Sequence, residues 1–264
     1  RFLNIDSFYY YSQVGSMAYE CDACGKRFAN ASNLLRHKKT VHANKSDFRQ
    51  ANIMVNGAAV LYHPFTCIVA GCTQSGKTVW VKTLLENAQT TISPPPERII
   101  WCYGQWQPMY LEMIDTIPSI EFYEGIPSEI DSQHFFDVNK RNLVVLDDLM
   151  AQSGRDRRIA DLFTKGSHHK NLSVIYIVQN IFHQGRETRD ISLNTHYIVL
   201  FKSPRDKQQI STLARQVKPG RVQEFMNAYE EATSRPHGYL MLDLKPTTHD
   251  DHRLRTNVLP RERN

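Results

Sequence analysis

Two stretches of this 264-residue sequence combine residue types at spacings that phosphate and metal chemistry require. The first, Gly71-Cys-Thr-Gln-Ser-Gly-Lys-Thr78, matches the phosphate-binding pattern G-x-x-x-x-G-K-[ST]. The backbone N–H groups of such a loop converge on phosphate oxygens, so the two glycines keep side chains out of the way. We expect the loop to bind ATP through eight residues: Gly71, Cys72, Thr73, Gln74, Ser75, Gly76, Lys77 and Thr78.

Two side chains of the loop have expected roles of their own. Lys77 brings a positive charge to the β- and γ-phosphates, and the Thr78 hydroxyl can bind Mg²⁺. The preceding residues 65–70 are apolar and predict a strand, whereas residues 79–86 predict a helix. Strand, loop and helix is the context that the pattern needs, and it argues against the alternative, a chance match in a polar loop.

Paired carboxylates end a second apolar run, Asn142-Leu-Val-Val-Leu-Asp-Asp148. Such a run suits a buried parallel strand whose carboxyl end opens on a ligand crevice. Asp147 is the expected Mg²⁺ ligand, directly or through water, and Asp148 is the expected catalytic group that polarises the attacking water. A solvated turn is the alternative for two adjacent acids, but a phosphate loop about 70 residues upstream favours catalysis.

A third apolar run, residues 172–178, ends in Gln179 and Asn180. An amide at the end of a core strand can reach the γ-phosphate or the lytic water, which predicts a catalytic role for Gln179. The alternative is a helix N-cap, which suits Asn180. Both interpretations hold together if Gln179 senses the nucleotide and Asn180 caps the helix.

The other of the two stretches with chemically suggestive spacing, residues 19–42, has the residues typical of a zinc site. Cys21 and Cys24 are separated by two residues, His37 and His42 by four, and the two pairs by twelve. Thiolates and imidazoles at these spacings predict a tetrahedral, structural Zn²⁺ site. A unit this small buries too little apolar surface to fold without its metal. The segment resembles the two-Cys, two-His zinc finger family along its whole length.

The sequence leaves the function of the finger open. Resemblance to that family puts Asn30, Asn33 and Arg36 at the base-reading positions of its helix, where Asn suits adenine and Arg suits guanine. One finger covers only about 3 bp, and no second finger follows. Residues 1–50 hold eight basic and four acidic residues, most of the chain's net charge of +5, which indicates contact with a phosphate backbone. Non-specific nucleic-acid binding, protein docking and an accidental fusion are the alternatives to base reading.

Composition indicates one α/β domain with a small appendage. A hydrophobic content of 41% supports a core, and no apolar stretch approaches the ~18 residues of a membrane span, so we expect no membrane partner. Three cysteines are not predicted zinc ligands: Cys67, Cys72 and Cys102. Their odd number fits a reducing intracellular compartment, predicted to be the nucleus. The predicted domains are an unstructured leader at 1–16, the finger at 17–43, a linker at 44–60 and an ATPase domain at 61–264.

Strands and helices are predicted to alternate beyond residue 60. Further strands are predicted at 98–103, 119–123, 196–201 and 238–243, and helices at 206–216 and 221–232. Such alternation predicts an α/β fold of the P-loop NTPase type, with a mainly parallel sheet and helices on both faces. The small ββα zinc finger precedes it.

Residues 64–260 resemble the FtsK/HerA superfamily and, within it, the genome-packaging ATPases of poxvirus type, with the closest likeness to those of Maverick/Polinton transposons and adintoviruses. The resemblance rests on the segments at 71–78, 146–148, 179–180, 182–194, 201–206 and 240–246. It implies a homo-oligomeric ring, most often a hexamer, that drives double-stranded DNA into a capsid by ATP hydrolysis. It also implies the roles given above for Lys77, Asp147, Asp148 and Gln179. Many members carry Asp-Glu in place of the Asp pair, and beside them the shorter Asp148 would be a poorer base, although the poxvirus-type branch resembles this chain at that position. The finger lies outside the family's pattern.

A ring motor of this kind needs an arginine from the neighbouring subunit at the γ-phosphate. Four candidates stay open on sequence alone: Arg157, Arg158, Arg186 and Arg189. Two rival functions also stay open. One is a zinc-finger nucleic-acid-binding protein that carries an inactive, transposon-derived P-loop domain. The other is a P-loop small-molecule kinase, which is disfavoured because no arginine-rich lid over a substrate phosphate is evident.

Overall fold

The computed structural model describes residues 19–21, 24–29, 32–34, 37, 61–132, 134–149, 156–166, 170–181, 186–256 and 258–259. The chain divides into two compact units, Arg1–Ala51 and Asn52–Asn264. In the first unit, β1 (Tyr19–Glu20) pairs antiparallel with β2 (Arg27–Phe28), and residues 32–34 and 37 are helical. These are the elements expected of a ββα finger. The predicted leader and linker lie outside the described residues.

Ten strands are described in the second unit: β3 (Leu61–Tyr62), β4 (Thr66–Ala70), β5 (Ile92–Ser93), β6 (Arg98–Tyr103), β7 (Ile120–Glu124), β8 (Asn142–Asp147), β9 (Leu172–Val178), β10 (Tyr197–Phe201), β11 (Tyr239–Asp243) and β12 (Leu254–Arg255). Eight of them form one sheet in the order β7-β6-β8-β9-β4-β10-β11-β12, and β3 pairs separately with β5. Every neighbouring pair from β7 to β10 is parallel. The sheet therefore collects the carboxyl ends of six strands along one edge.

Helices cover both faces of this sheet, as the sequence predicted. The helical segments are α1 (Lys77–Glu86), α2 (Ala88–Thr91), α3 (Met109–Thr116), α4 (Arg157–Asp161), a π-helical turn (Leu162–Gly166), α5 (Arg186–Leu193), α6 (Lys207–Val217), α7 (Val222–Ala232) and a 3₁₀ turn (Asp250–His252). Helices α1 and α3 pack on one face, whereas α4 to α7 pack on the other.

The central strands owe their position to continuous apolar runs. Every residue of β4, β8, β9 and β10 is buried, because alternate side chains enter the cores on opposite faces. In β8, for example, Leu143 and Val145 pack on the side of α1, while Val144 and Leu146 pack on the side of α6. The mainly parallel α/β prediction is confirmed. The last two strands depart from it, because β11 runs antiparallel to β10 and β12 antiparallel to β11.

No helix among the described residues is both long enough and apolar enough to span a membrane.

Candidate nucleotide and metal sites

The predicted phosphate loop occupies residues 71–76, between the end of β4 and the start of α1. Gly71 lies so close to β10 that a Cβ added to it would stand 2.6 Å from the Cβ of Phe201. Gly76 has a φ of 101°, in the left-handed region, just before the first turn of α1. The two glycines are thus needed for separate reasons: close approach at 71 and the backbone angle at 76.

Lys77 folds back over the loop that precedes it. Its Nζ donates hydrogen bonds to the backbone oxygens of Gly71, at 2.8 Å, and Cys72, at 2.9 Å. Burial lowers the pKa of Lys77, and the nearby Asp147 and Asp148 oppose that shift. The charge therefore lies over the loop, where a phosphate would replace the two carbonyl oxygens as its partner.

Asp147, the last residue of β8, is 3% exposed. It accepts a hydrogen bond from the hydroxyl of Tyr110 at 3.0 Å, and the Thr78 side chain is a further partner. Burial raises the pKa of Asp147 to about 6, with a contribution from Asp148, against the opposing effects of Tyr110, Thr78 and Lys77. A divalent cation would neutralise this buried carboxylate. Thr78 and Asp147 are therefore brought together as hard oxygen ligands that fit Mg²⁺.

Asp148 is exposed beside this pair, at the turn that follows β8. Its φ of 54° is left-handed, and a Cβ added to Gly104 would lie only 2.7 Å from its backbone oxygen. The side-chain amide of Gln179 donates a hydrogen bond to Asp148 Oδ1 at 3.4 Å. Because β9 lies between β4 and β8, Gln179 stands between the phosphate loop and the carboxylates. Asn180 was predicted to cap a helix, but Ile181, which follows it, is not helical, and α5 begins only at Arg186. Residues 182–185 between them lie outside the described residues.

These groups line one cleft of about 360 Å³ at the carboxyl edge of the sheet. The loop from Thr73 to Thr78 lines it, with Asp147, Asp148 and Gln179. Gly71 and Cys72 form the part of the loop nearest β4, under the Lys77 ammonium. The cleft thus joins phosphate-binding backbone, a positive charge, paired carboxylates and an amide, which is the set that phosphoryl transfer to water requires.

Sequence reasoning missed several residues at this cleft. Gln107 and Met109 line it from the segment around the start of α3, and His237 lines it from the turn before β11. Tyr110 donates a hydrogen bond from α3 to Asp147, the candidate Mg²⁺ ligand. No local pattern marks them, because each reaches the cleft through the packing of an element distant in sequence.

The four arginine candidates differ in what the structure says of them. Arg158 donates to Asp156 through Nη2 at 2.7 Å and to the backbone oxygen of Pro127, so its guanidinium is already engaged. Arg157 is exposed at the start of α4. The side chains of Arg186 and Arg189 lie outside the described residues. Among the described residues that line the cleft there is no arginine.

Three of the four predicted zinc ligands come together in the first unit. The ligand atoms of Cys21, Cys24 and His37 lie within 4.8 Å of one another, with Cys24 Sγ 3.2 Å from His37 Nε2. Two such ligands of one tetrahedral Zn²⁺ stand about 3.5 Å apart, so the group fits this metal. His42 lies outside the described residues, as do the base-reading candidates Asn30 and Arg36. Asn33 is exposed on the helical segment.

Comparison with known proteins gives one family match, for the finger segment, and several solved structures that are similar at low sequence identity. Residues 19–42 match the family "Zinc finger, C2H2 type". No curated protein sequence matches the chain.

Three solved structures illustrate the likeness of the larger unit. The genome packaging NTPase B204 from Sulfolobus turreted icosahedral virus 2, in complex with ATP-gammaS, aligns over 70% of this chain and 94% of its own, at 11% identity and a TM-score of 0.47. The cytoplasmic domain of the Thermomonospora curvata Type VII secretion ATPase EccC aligns over 69% of this chain and 24% of its own, at 13% identity and a TM-score of 0.46. The Legionella pneumophila ATPase DotB aligns over 71% and 56%, at 11% identity and a TM-score of 0.31. At these identities, the function of this chain has to be inferred from its own site.

Proposed function

We propose that the chain is an ATP-hydrolysing motor that moves double-stranded DNA, of the type that packages viral or transposon genomes. The observation that carries ATP hydrolysis is the meeting of the phosphate loop, Asp147, Asp148 and Gln179 in one cleft. DNA as the substrate, a homo-oligomeric ring and a capsid partner come from the motif resemblance of residues 64–260. The closeness to Maverick/Polinton and adintovirus ATPases belongs to the same proposal.

The cleft suggests how the chain's own residues divide the work. Backbone N–H groups of residues 73–78 bind the phosphates, and Lys77 exchanges its two carbonyl partners for phosphate oxygens. Thr78 and Asp147 would hold Mg²⁺, which when bound neutralises charge on the β- and γ-phosphate oxygens. Asp148 accepts a hydrogen bond from the attacking water and thereby orients it. Gln179, already bonded to Asp148, donates to the γ-phosphate or to that water.

The finger is proposed to hold one Zn²⁺ through Cys21, Cys24, His37 and His42. Metal ligation is coupled to the folding of so small a unit, so a chelator should unfold residues 19–42 and leave the ATPase unit folded. Metal analysis of protein refolded with Zn²⁺ should give one Zn²⁺ per chain. A result of no zinc would contradict this assignment.

Measuring ATP hydrolysis with and without double-stranded DNA tests the proposed motor. We expect stimulation by DNA of any sequence, because a translocase contacts mainly the phosphate backbone. Added salt should reduce the stimulation, since phosphate contacts release counterions. Activity should also rise steeply with protein concentration if the ATP sites are completed between subunits. Lys77→Ala is the matched control, because it removes the charge that faces the phosphates and should weaken nucleotide binding.

The rival function is a nucleic-acid-binding finger with an inactive P-loop unit, and the grouping of Cys21, Cys24 and His37 supports it as the second candidate. Deleting residues 1–42 separates the two. For the motor, the deletion should weaken DNA affinity but leave DNA-stimulated turnover, whereas the rival loses all DNA binding and shows no turnover at any concentration. A chain that stays monomeric and hydrolyses ATP without regard to DNA would also contradict the motor.

A further inference from the structure

The turn before β11 reaches back to the phosphate loop through one histidine. His237 lines the nucleotide cleft, and its Nδ1 lies 3.3 Å from the backbone oxygen of Ser75. A Cβ added to Gly76 would stand only 2.9 Å from the same nitrogen. The ring therefore packs directly against the peptide that joins Ser75 to Gly76, 162 positions earlier in the chain.

The backbone around His237 is held in a conformation that side chains disfavour. Its φ is 58°, in the left-handed region, which costs a non-glycine residue on the order of 1 kcal/mol. The next residue closes the turn tightly, because the N–H of Gly238 donates to the oxygen of Arg235 at 3.0 Å and a Cβ added to it would lie 2.4 Å from the oxygen of Ala232. A strained backbone conformation persists where neighbouring contacts hold it, and the contacts of Gly238 hold this turn in place beside the phosphate loop.

The chemistry of the contact assigns its direction. A carbonyl oxygen only accepts, so Nδ1 of His237 carries the proton and donates a hydrogen bond to the Ser75 oxygen. The Ser75 carbonyl and the Gly76 N–H belong to one planar trans peptide group, in which they point in opposite directions. A donor that holds the carbonyl towards the turn therefore fixes the Gly76 N–H on the opposite side of the peptide group, and loops of this kind bind phosphates through such N–H groups.

We infer that His237 is a positioning residue that fixes the Ser75–Gly76 peptide of the phosphate loop for polyphosphate binding. The inference rests on the proposed function, since it assigns a role at the same cleft. His237 acts on the affinity for phosphates and has no part in the attack of water. Loss of one such hydrogen bond should weaken binding about fivefold.

Three variants of the full chain with Zn²⁺ test this role by separating the side chain from the backbone. His237→Gly relieves the left-handed backbone and removes the donor. His237→Asn keeps the left-handed backbone conformation and the hydrogen-bond donor, because Asn tolerates this region and its amide N–H replaces the Nδ1–H. Ser119→Gly is the matched control, since Ser119 has the same φ of 58° and is exposed in the turn before β7, outside the cleft lining. The dissociation constants of ATP and inorganic tripolyphosphate are measured by competition with a fluorescent ADP analogue in Mg²⁺, together with KM and kcat.

We expect the dissociation constants of ATP and tripolyphosphate to rise about fivefold together in His237→Gly, and KM to rise while kcat changes less than about twofold. His237→Asn should recover most of the affinity, and Ser119→Gly should match the wild type. Equal affinity in His237→Gly and wild type, a loss for ATP alone, or a loss confined to kcat would each overturn the inference. A wild-type chain that binds neither ligand would overturn the proposed function itself, whereas binding without hydrolysis would leave the test of His237 valid.

Discussion

Polar side chains at the two ends of the parallel strands differ in their hydrogen bonding and in their exposure to solvent. At the amino end, His63 is bonded on both ring nitrogens, to Ser173 Oγ at 2.6 Å and to Asn171 Oδ1 at 2.9 Å. The Ser173 hydroxyl also accepts from the N–H of Phe65 at 3.1 Å. At the carboxyl end, Asp147 is buried with a raised pKa, and Asp148 is exposed with one long bond to Gln179.

This difference separates structural polar groups from those that remain available to a ligand. A histidine, a serine and an asparagine in short hydrogen bonds resemble a catalytic group, yet Ser173 is fully buried and the contacts saturate the histidine. Since Asn171 Oδ1 only accepts, the Nε2 of His63 carries the proton, which leaves Nδ1 to accept from Ser173. Burial lowers the pKa of His63 and favours this neutral form. The buried, saturated hydrogen bonds thus indicate a structural role for His63 and Ser173, whereas the exposed Asp148, with its long bond to Gln179, is accessible to a ligand.

The largest expected effect lies at the carboxyl end, in Asp148→Asn. The variant should bind ATP but turn it over on the order of 10²-fold more slowly, because the water loses its polarising carboxylate. Single-turnover hydrolysis and nucleotide affinity measure the two effects. Asp115→Asn, an exposed acid on α3, is the matched control. If Asp148→Asn keeps the wild-type rate, the role passes to Gln179.

A pH-dependent change in stability should follow from Asp147. Its pKa of about 6 in the fold exceeds the ordinary 3.8, so the folded carboxyl holds its proton more tightly than the unfolded one. The stability that Asp147 contributes is fully present below pH ~4 and is lost as the pH rises through about 6, by roughly 2 to 3 kcal/mol. Urea unfolding at pH 4.5 and 7.5, without nucleotide or Mg²⁺, should show most of this loss in wild type relative to Asp147→Asn. Identical pH dependence in the two proteins would refute the assignment.

A substitution at the amino end of the strands should change the stability of the protein but not its activity. His63→Ala leaves the Ser173 and Asn171 side chains without their partner, so the free energy of unfolding should fall by about 1 to 2 kcal/mol. The kcat of the folded protein should not change, since the site is at the opposite end of the strands. His249→Ala, at an exposed histidine, controls for loss of an imidazole. A large drop in kcat with unchanged stability would break the distinction between the two ends.

The smallest effect is expected within the phosphate loop, at Cys72. Its thiol donates to the backbone oxygen of Lys202 at 3.3 Å. In the proposed function the loop binds phosphate through backbone N–H groups and not through this side chain. Cys72→Ala should therefore change KM for ATP less than about twofold, because only one weak sulfur contact is lost. Steady-state kinetics measure this, and a tenfold rise in KM would mean that the thiol itself contacts the nucleotide.

The sequence predicts the structural features that nearby residues determine, and it fails for those that depend on tertiary packing. The runs at 98–103 and 172–178 are strands with those bounds, and Lys77, Asp147, Asp148 and Gln179 meet in one cleft because parallel strands bring their carboxyl ends together. The antiparallel direction of β11 and β12 could not be predicted, since it depends on the path of α6 and α7. Tyr110 and His237 were missed for the same reason, because only tertiary packing brings them to the cleft.

The left-handed backbone at Asp148 determines which acids this position accepts. Aspartate, with its short side chain, enters that region far more readily than glutamate, and Gly104 leaves no room for the turn to relax towards β6. Exchange of Asp148 for the longer glutamate is therefore not a conservative replacement in this chain, even though it keeps the charge. The backbone conformation of the turn, as well as the chemistry, therefore favours aspartate at position 148. A design that places a longer carboxylate here would first have to change the backbone conformation of this turn.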